Sequence, residues 1–316
     1  MKYARLGRTG LEVSRLCLGT NMFGAGYVDA ERASAVFAAA FDAGVNFIDT
    51  ADMYHDGLSE VAVGRAATGR RHDVVIATKG GMRMGPGVND VGASRKHVTK
   101  AIEDSLRRLN TDYIDLYQVH QWDPSTPLDE TISTLDRHVR DGKIRYLGCS
   151  NYAAWQLCKA LWTSDRLGLE RFESVQPAYN FTARGPEREL FPLCEDQNVG
   201  VLPYQVFMGG VLTGGYSGEG PPPAETHMSA RHSNTARRLY WNEDHFEMAE
   251  RLKAIAKDAG QSPTALTLAW ALSRPPVTSV IAGSSRPEQI IENARATELD
   301  LPDDILALLD GLGACS

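Results

Sequence analysis

Short apolar runs alternate with longer amphipathic stretches eight times along the chain, and this alternation limits the folds open to it. The runs are rich in β-branched residues, as expected of strands that are buried on both faces of a parallel sheet. Eight repeats of strand and helix are the pattern of a (β/α)8 barrel of the α/β class, and an open doubly wound sheet shares the alternation. The predicted strands contain residues 16–18, 47–48, 74–77, 114–119, 144–147, 175, 199–202 and 277–281.

The length of 316 residues suits one large core. At about 150 residues per domain it also allows two domains, but α/β barrels commonly use such a length as one. We therefore expect a single TIM barrel domain over residues 1–316, with an N-terminal hairpin in residues 3–14.

Polar residues and prolines mark the helix ends between the predicted strands. A side-chain oxygen at the N-cap accepts from a free backbone N–H group, and proline fits the first helical turn. The predicted N-caps are Asp29, Ser94 and Thr126, and Pro127, Pro263 and Pro287 fall in first turns.

Charge and cysteine content argue against several classes of function. The balance of 33 Lys and Arg against 40 Asp and Glu gives a net charge of −7, which disfavours a nucleic-acid surface. No apolar run approaches the roughly 20 residues that a membrane helix needs, so no membrane partner is expected. The five cysteines have no C-x-x-C spacing, and neither a disulfide frame nor a metal site is predicted. These features favour a cytoplasmic protein, and they leave the oligomeric state open.

The interval between the seventh and eighth predicted strands is the longest in the chain. Its residues 213–240 are rich in Gly, Pro, Ser and Thr, which indicates a long mobile loop. Barrel active sites lie at the carboxyl ends of the strands, so a loop after strand 7 is expected to cover the site as a lid.

Polar residues stand directly after three successive predicted strands. Asp49 closes the second strand, Lys79 the third and His120 the fourth, and Tyr54 follows closely after Asp49. The carboxyl ends of barrel strands meet at one mouth, so we expect these four side chains to lie together. Taken singly, Asp49 also fits a loop cap and His120 a core histidine.

Together these residue types suit a group of side chains that donates a proton to a substrate. Tyrosine alone is a weak acid with a pKa of ~10. An ammonium about 4 Å away contributes roughly 4 kcal/mol at an effective dielectric of about 20, so Lys79 is expected to lower the pKa of Tyr54. Asp49 would hold Lys79 charged, and His120 would hydrogen-bond the same substrate oxygen. Such a group of side chains protonates a carbonyl oxygen while another group attacks the carbon.

The last predicted strand runs into a helix start at residues 281–289. Barrels often bind phosphate at this place, with a helix N-terminus supplying backbone N–H groups. Arg286 adds a fork of donors suited to a phosphate, although Gly283-Ser284-Ser285 is also an ordinary loop sequence. No G-x-G-x-x-G motif follows a strand, so a Rossmann module is not supported.

Over nearly its full length the sequence resembles the aldo-keto reductases. The similarity is closest to the bacterial and potassium-channel β-subunit-like branches, because Gly283-Ser284-Ser285 replaces the basic residue of the steroid and aldose branches. The matching stretches are residues 19–20, 49–54, 57–60, 77–80, 117–120, 142–151, 176–180 and 283–293.

The resemblance implies NADPH bound extended across the barrel mouth and the reversible reduction of an aldehyde or ketone to an alcohol, with NADH less expected. Asp49, Tyr54, Lys79 and His120 fall on the family's catalytic tetrad, with Tyr54 as general acid. Asn151 and Gln176 match positions that hold the nicotinamide carboxamide, and Tyr204 matches the residue that stacks on the ring; Thr20, Asn21 and Ser150 lie around them. Gly283, Ser285, Arg286, Gln289, Glu292 and Asn293 match the adenine and phosphate end. The long loop resembles the segment that folds over the cofactor, and Arg231 within it is expected to reach a phosphate.

Apolar and aromatic residues beside these motifs predict the substrate pocket, namely Met22, Phe23, Met53, Trp122 and Tyr179. Trp122 fits a packing role equally well. The chain departs from related branches after Tyr204, where Gln205-Val206-Phe207 stands in place of Ser-Pro-Leu. This change puts in question how the residues after Tyr204 bind the cofactor pyrophosphate.

Two other functions stay open at this stage. A lysine at a barrel strand end is also the hallmark of a Schiff-base aldolase, with Lys79 as its nucleophile. The resemblance to channel β-subunits also allows an NADP(H)-binding regulatory subunit with weak activity. The identity of the small carbonyl or alcohol substrate and the preferred direction are not predicted.

Overall fold

The computed structural model describes residues 1–24, 28–216, 220–223, 226–229 and 234–314. The strands are β1 (Tyr3–Arg5), β2 (Glu12–Ser14), β3 (Leu16–Gly19), β4 (Phe47–Asp49), β5 (Val75–Gly80), β6 (Ile114–Val119), β7 (Ile144–Ser150), β8 (Phe172–Gln176), β9 (Gly200–Val201) and β10 (Val280–Gly283). The helices are α1 (Ala30–Asp42), α2 (Leu58–Ala66), α3 (Arg95–Leu109), α4 (Leu128–Arg140), α5 (Ala154–Leu167), α6 (Leu190–Gln197), α7 (Asn234–Tyr240), α8 (Glu243–Asp258), α9 (Pro263–Leu272), α10 (Pro287–Ala296) and α11 (Asp303–Asp310).

Within these residues, eight parallel strands form one sheet in the order β10-β3-β4-β5-β6-β7-β8-β9. The sheet closes because the segment before β10 pairs with β9. Val201 N–H donates to the Pro276 carbonyl at 3.0 Å, and Thr278 N–H donates to the Val201 carbonyl at 2.9 Å. Ile281 N–H continues this seam by donating to the Pro203 carbonyl at 2.9 Å. The closure confirms the predicted (β/α)8 barrel over the open doubly wound sheet.

The interior of the barrel is apolar below its mouth. Side chains from alternate positions of the strands meet there, and the hairpin of β1 and β2 adds Leu6 and Val13 to the same cluster. The hairpin therefore seals the amino end of the barrel, which leaves the carboxyl end as the open mouth. The cluster contains Leu6, Val13, Cys17, Phe47, Val75, Ala77, Leu116, Leu202 and Ile281.

Most of the predicted helix starts are confirmed. Asp29 accepts from Arg32 N–H and Ser94 accepts from His97 N–H, while Pro263 and Pro287 open α9 and α10. Thr126 as an N-cap is wrong, because its hydroxyl donates to Asp123 at 2.7 Å and α4 begins two residues later. The Asp123 carboxylate is a charged and therefore strong hydrogen-bond acceptor. The Thr126 hydroxyl donates to it and does not cap α4.

The predicted loop over residues 213–240 contains regular structure in its described part. His227–Ser229 form a 3-10 turn and Asn234–Tyr240 form α7. The glycines and prolines end before this helix, and Ala236, Arg237 and Leu239 favour it. No helix in the described residues is both long and apolar enough to cross a bilayer.

Candidate active site

Lys79 lies at the centre of the barrel mouth and directs its ammonium at three acceptors. Its Nζ donates to Asp49 Oδ1 at 2.5 Å, to the Thr50 carbonyl at 2.9 Å and to Tyr54 Oη at 3.2 Å. An ammonium has three protons, so this set satisfies it fully. Lys79 is therefore held in one position by groups from β4 and the loop that follows it.

The Asp49 carboxylate is shared between the lysine and two amides. Its Oδ2 accepts from Gln118 Nε2 at 3.1 Å and from Gln176 Nε2 at 2.9 Å. Gln176 Nε2 also lies 3.2 Å from Gln118 Oε1. Sequence reasoning missed Gln118, although it lies on β6 two residues before His120, and this spacing turns both side chains to the barrel interior. The amides fix the carboxylate without adding charge.

Tyr54 reaches Lys79 because the chain turns sharply after β4. The turn Tyr54–Gly57 holds His55 and Asp56 at positive φ, and Gly57 ends it at φ 91°. The Tyr54 ring meets the His120 ring edge to face, with centroids 6.0 Å apart. His120 follows β6 directly, and its backbone N–H donates to the Gly80 carbonyl at 2.9 Å. The four predicted side chains thus come from three adjacent strand ends and lie together.

Burial decides the proton states in this cluster. Burial raises the pKa of Tyr54 and outweighs the lowering by Lys79, whose charge is offset by Asp49. The expectation that Lys79 lowers the pKa of Tyr54 overall is therefore wrong for this structure. Burial lowers the pKa of Lys79, but Asp49 and Tyr54 together raise it by more than burial lowers it, so the ammonium stays charged. Burial and then Lys79 lower the pKa of His120 to about 3, so its ring is neutral.

A cleft of about 700 Å³ begins at these residues and runs to the start of α10. Asp49, Tyr54 and His120 line one end of it. All the residues that the sequence assigned to the cofactor line the cleft, except Arg231, which lies outside the described residues. They are Thr20, Asn21, Ser150, Asn151, Gln176, Tyr204, Gly283, Ser285, Arg286, Gln289, Glu292 and Asn293.

Asn151 organises the wall of the cleft beside His120. Its Nδ2 donates to the His120 carbonyl at 3.0 Å and to Ser150 Oγ at 3.1 Å, and its Oδ1 accepts from Tyr204 Oη at 2.8 Å. Thr20 Oγ1 is likewise held, since it donates to the Asp49 carbonyl at 2.9 Å. These hydrogen bonds within the protein fix the orientation of the Asn151 and Thr20 side chains.

The far end of the cleft is built from the loop after β10 and the first turns of α10. Gln289 Oε1 accepts from Ser285 N–H at 2.9 Å, and Glu292 Oε1 accepts from Ser262 Oγ at 2.9 Å. Asn293 Nδ2 donates to Ser284 Oγ at 3.3 Å. Arg286 is exposed at the N-cap of α10, and no carboxylate of the described residues pairs with it. It is thus the free cation at this end of the described cleft.

The predicted substrate residues do not gather in one place. Met22 lines the cleft. Phe23 and Tyr179 lie in the core, where Tyr179 stacks on Trp270 at 5.0 Å. Met53 is 37% exposed outside the described cleft lining. Trp122, also outside that lining, packs edge to face on Tyr152 and Trp155, as its packing interpretation expected.

A buried polar group that the sequence analysis missed stands behind the site. Glu60 accepts from Thr78 Oγ1 at 2.5 Å and from Arg108 Nε at 2.6 Å. Asp52 is fully buried beside them, and a Cβ on Gly80 would lie 3.2 Å from its Oδ2. Burial and then Glu60 raise the pKa of Asp52 to about 7. The group supports the backbone that carries Tyr54 and Lys79.

Comparison with known proteins agrees with this architecture. The sequence profile of the Aldo/keto reductase family matches residues 15–314. A probable voltage-gated potassium channel subunit beta from Oryza sativa subsp. japonica is 36% identical over 303 residues, which are 95% of this chain and 92% of that protein. The uncharacterized oxidoreductase YrpG of Bacillus subtilis strain 168 is 35% identical over 323 residues, 99% of this chain and 96% of its own.

A third relative carries a named activity. Versiconal hemiacetal acetate reductase of Aspergillus parasiticus is 32% identical over 331 residues, which are 96% of this chain and 95% of the relative. The family profile and these relatives extend over almost the whole chain, including every strand of the barrel. The chain therefore belongs to the aldo/keto reductase family.

Proposed function

We propose that the protein reduces an aldehyde or ketone to an alcohol, and catalyses the reverse reaction, with NADPH and NADP+ as its cofactor pair. Family membership and oxidoreductase relatives support carbonyl reduction in general. The observation that carries the specific proposal is the contact of Lys79 Nζ with Tyr54 Oη, 3.2 Å apart, at one end of the cleft.

Tyr54 supplies the proton to the carbonyl oxygen. Its raised pKa keeps the phenol protonated at neutral pH, and the Lys79 ammonium stabilises the phenolate that forms as the proton leaves. The neutral His120 ring has a buried Nδ1 without a partner in the described residues, and the ring packs edge to face against Tyr54. A neutral imidazole donates one N–H, which orients the substrate oxygen without competing for the proton.

The cleft fits a nicotinamide dinucleotide on the chemistry of its donors and acceptors. Gln176 and Asn151 use both amide protons within the protein, so only their side-chain oxygens can bind an amide N–H. Asn151 Oδ1 already accepts from Tyr204 Oη and has one further lone pair to offer. Tyr204 places its ring in the same wall. Bound there, the cofactor would supply the hydride. These residues would orient it against the carbonyl carbon.

Arg286 supports a preference for NADPH over NADH. It is exposed and unpaired among the described residues, at the N-terminus of a ten-residue helix. A helix N-terminus attracts anions, and the guanidinium fork matches a phosphate. The 2′-phosphate of NADPH is the group that distinguishes the two cofactors. Arg231 is the second candidate for this contact.

A regulatory subunit with weak activity is the second candidate function. Its support is the similarity to proteins named as potassium channel beta subunits from Oryza sativa and Arabidopsis thaliana. The turnover rate distinguishes the two functions. Median enzymes have a kcat near 10 per second, and a regulatory subunit with weak activity is expected to be far slower. A kcat above about 0.1 per second with several carbonyls favours the reductase.

The site geometry disfavours a Schiff-base aldolase. An amine attacks a carbonyl only when it is unprotonated. The Lys79 ammonium is fully buried, paired with Asp49, and its pKa is raised. Its lone pair is therefore not available near neutral pH.

The test is a panel of aldehydes and ketones with NADPH, followed by the loss of absorbance of the reduced cofactor. Steady turnover that depends on the carbonyl is expected. Borohydride trapping of Lys79 with the same carbonyls is the control. Covalent capture, or no NADPH consumption with any carbonyl, would contradict the proposal.

A further inference from the structure

Gln118 is a fully buried amide that stands behind the cleft and not in its wall. It lies on β6, and the described lining of the cleft does not include it. Burying an amide is costly unless hydrogen bonds use its donors and its acceptor. The partners of Gln118 therefore explain why an amide stands at this place in the barrel interior.

The register of three neighbouring strands gives the Gln118 side chain its room. Gly148 on β7 lies in register with Gln118, and a Cβ on Gly148 would lie only 3.2 Å from Gln118 Cγ. On the other side, Lys79 of β5 is in register with Gln118. The amide thus lies beside the lysine, and the missing side chain at position 148 lets it extend into the barrel.

Asp49 fixes which end of the Gln118 amide faces it. Asp49 Oδ2 lies 3.1 Å from Gln118 Nε2, and the carboxylate, which is ion-paired with Lys79, only accepts hydrogen bonds. The nitrogen of Gln118 must therefore face Asp49. The oxygen of the same amide is then turned to Gln176, whose Nε2 lies 3.2 Å from it.

Gln118 in turn fixes the amide of Gln176. Gln176 Nε2 donates to Asp49 Oδ2 at 2.9 Å and to Gln118 Oε1, so both of its protons are used. Among the described residues no hydrogen bond is made to Gln176 Oε1, and Gln176 lines the cleft. The side-chain oxygen is thus the group that Gln176 offers to a ligand.

Asp49 alone would leave this orientation incomplete, because it accepts only one of the two Gln176 protons. A buried N–H group without an acceptor is costly, so the second proton would turn toward the cleft. An amide is planar, and its oxygen would leave the cleft as that proton entered it. The Gln118 oxygen therefore makes the orientation of Gln176 unique.

We propose that Gln118 is a positioning residue that holds the Gln176 oxygen toward the cleft and so makes the cleft select a dinucleotide with a carboxamide over one without amide N–H groups. The inference rests on the proposed function, because the dinucleotide is the ligand that is selected. Gln118 acts through Gln176 and has no part in the proton transfer.

The test compares the binding of NADP+ with that of its 3-acetylpyridine analogue, in which a methyl ketone replaces the carboxamide. The analogue keeps the carbonyl oxygen and lacks the N–H donors. Calorimetric titration of the unaltered protein should show tighter binding of NADP+. Gln118→Leu should reduce this preference by about two- to twelve-fold, the value of one hydrogen bond. Gln156→Leu removes an amide that caps α5 outside the described cleft lining, and this control should keep the preference.

Gln118→Glu tests the same role without a change of shape. A protonated carboxyl can donate to Asp49 and accept from Gln176, and burial beside the Asp49 charge favours the protonated form. The preference for NADP+ should therefore survive in Gln118→Glu at mildly acid pH and decline as the new carboxyl ionises. This variant also serves if Gln118→Leu does not fold.

A double variant shows whether Gln118 acts through Gln176. In a Gln176→Leu background, Gln118→Leu should reduce the preference no further, because the oxygen that it positions is gone. The inference would be overturned by equal weakening of both dinucleotides in Gln118→Leu, by a further reduction in the double variant, or by no rescue in Gln118→Glu at any pH. Equal affinity of the unaltered protein for both dinucleotides would also overturn it. No binding of NADP+ or NADPH by the unaltered protein would instead overturn the proposed function.

Discussion

The Lys79 ammonium donates to Asp49 Oδ1 at 2.5 Å, with 0% and 3% of the two side chains exposed. Removing one partner of such a pair leaves an unpaired buried charge, which costs about 3–5 kcal/mol. The contact therefore serves the fold as well as the proposed chemistry, and its effects on stability and on activity can be measured separately.

Lys79→Met is expected to lower the free energy of unfolding by about 3–5 kcal/mol, because Asp49 remains charged and buried. Combining Lys79→Met with Asp49→Asn should restore part of the lost free energy of unfolding, since no unpaired buried charge then remains at position 49. Urea unfolding measures both. A double variant less stable than Lys79→Met would contradict this account of the pair.

Tyr54→Phe should lower kcat by about 10² to 10⁴, the usual worth of general acid catalysis, and leave NADPH affinity nearly unchanged. Lys79 keeps Asp49 and the Thr50 carbonyl as acceptors, so the fold should hold. The rate losses of Tyr54→Phe and Lys79→Met should not add, because the residues act as one unit. A variant that keeps more than about a tenth of the rate removes Tyr54 from the role.

The pH profile of carbonyl reduction follows from the two titrating rings. His120, with its pKa lowered to about 3, is neutral from mildly acid pH upward and should cause no break near its usual ~6.5. Tyr54 has a raised pKa, so it keeps its proton until the pH exceeds ~10. Log kcat should be level from about pH 5 to 8 and fall only in strong alkali. A break near pH 6.5 that His120→Gln abolishes would overturn the assignment.

Asp52→Asn should stabilise the protein at alkaline pH. Asp52 has a pKa of about 7 when folded and ~3.9 when unfolded, so between these values the folded state binds the extra proton. Stability from this group is therefore present at low pH and lost as the pH rises through about 7. The gain of the variant should be near zero at about pH 4 and reach at most roughly 4 kcal/mol at about pH 8.

Urea unfolding at the two pH values checks the Asp52 prediction. Asp56→Asn is the matched control, since Asp56 is exposed and lies on the turn that follows Tyr54. An equal gain for Asp52→Asn at both pH values would exclude titration of Asp52 as its source.

Arg286→Ala should weaken NADPH binding by about 10- to 150-fold, the value of one charge-assisted hydrogen bond. NADH binding should barely change, because it lacks the 2′-phosphate. Fluorescence titration with both cofactors measures this, and Arg295→Ala, at the exposed far end of α10, is the control. Equal weakening of both cofactors would pass the 2′-phosphate contact to Arg231.

Local signals in the sequence were enough to predict the barrel and the position of the candidate catalytic side chains. Parallel strands put their carboxyl ends at one edge, so Asp49, Lys79 and His120 had to meet once each was assigned to a strand end. The same reasoning failed for α7, because the Gly and Pro content of the preceding residues masked a short helix.

Aromatic residues show a second limit of local signals. Tyr179 and Tyr204 both follow strands, yet Tyr204 lines the cleft while Tyr179 stacks on Trp270. A one-residue change in register turns a side chain to the opposite face, and the sequence around each tyrosine does not display that register.

The sequence by itself determined that Asp49, Tyr54, Lys79 and His120 stand together at a barrel mouth, because period and residue type are local properties. Only the tertiary structure decided which hydrogen bonds connect these side chains. The register of β5 on β6 sets Lys79 opposite Gln118, and this pairing brings the amide to Asp49. The direction of the Tyr54 pKa shift was likewise decided by burial, a property of the packed chain that no run of residues records.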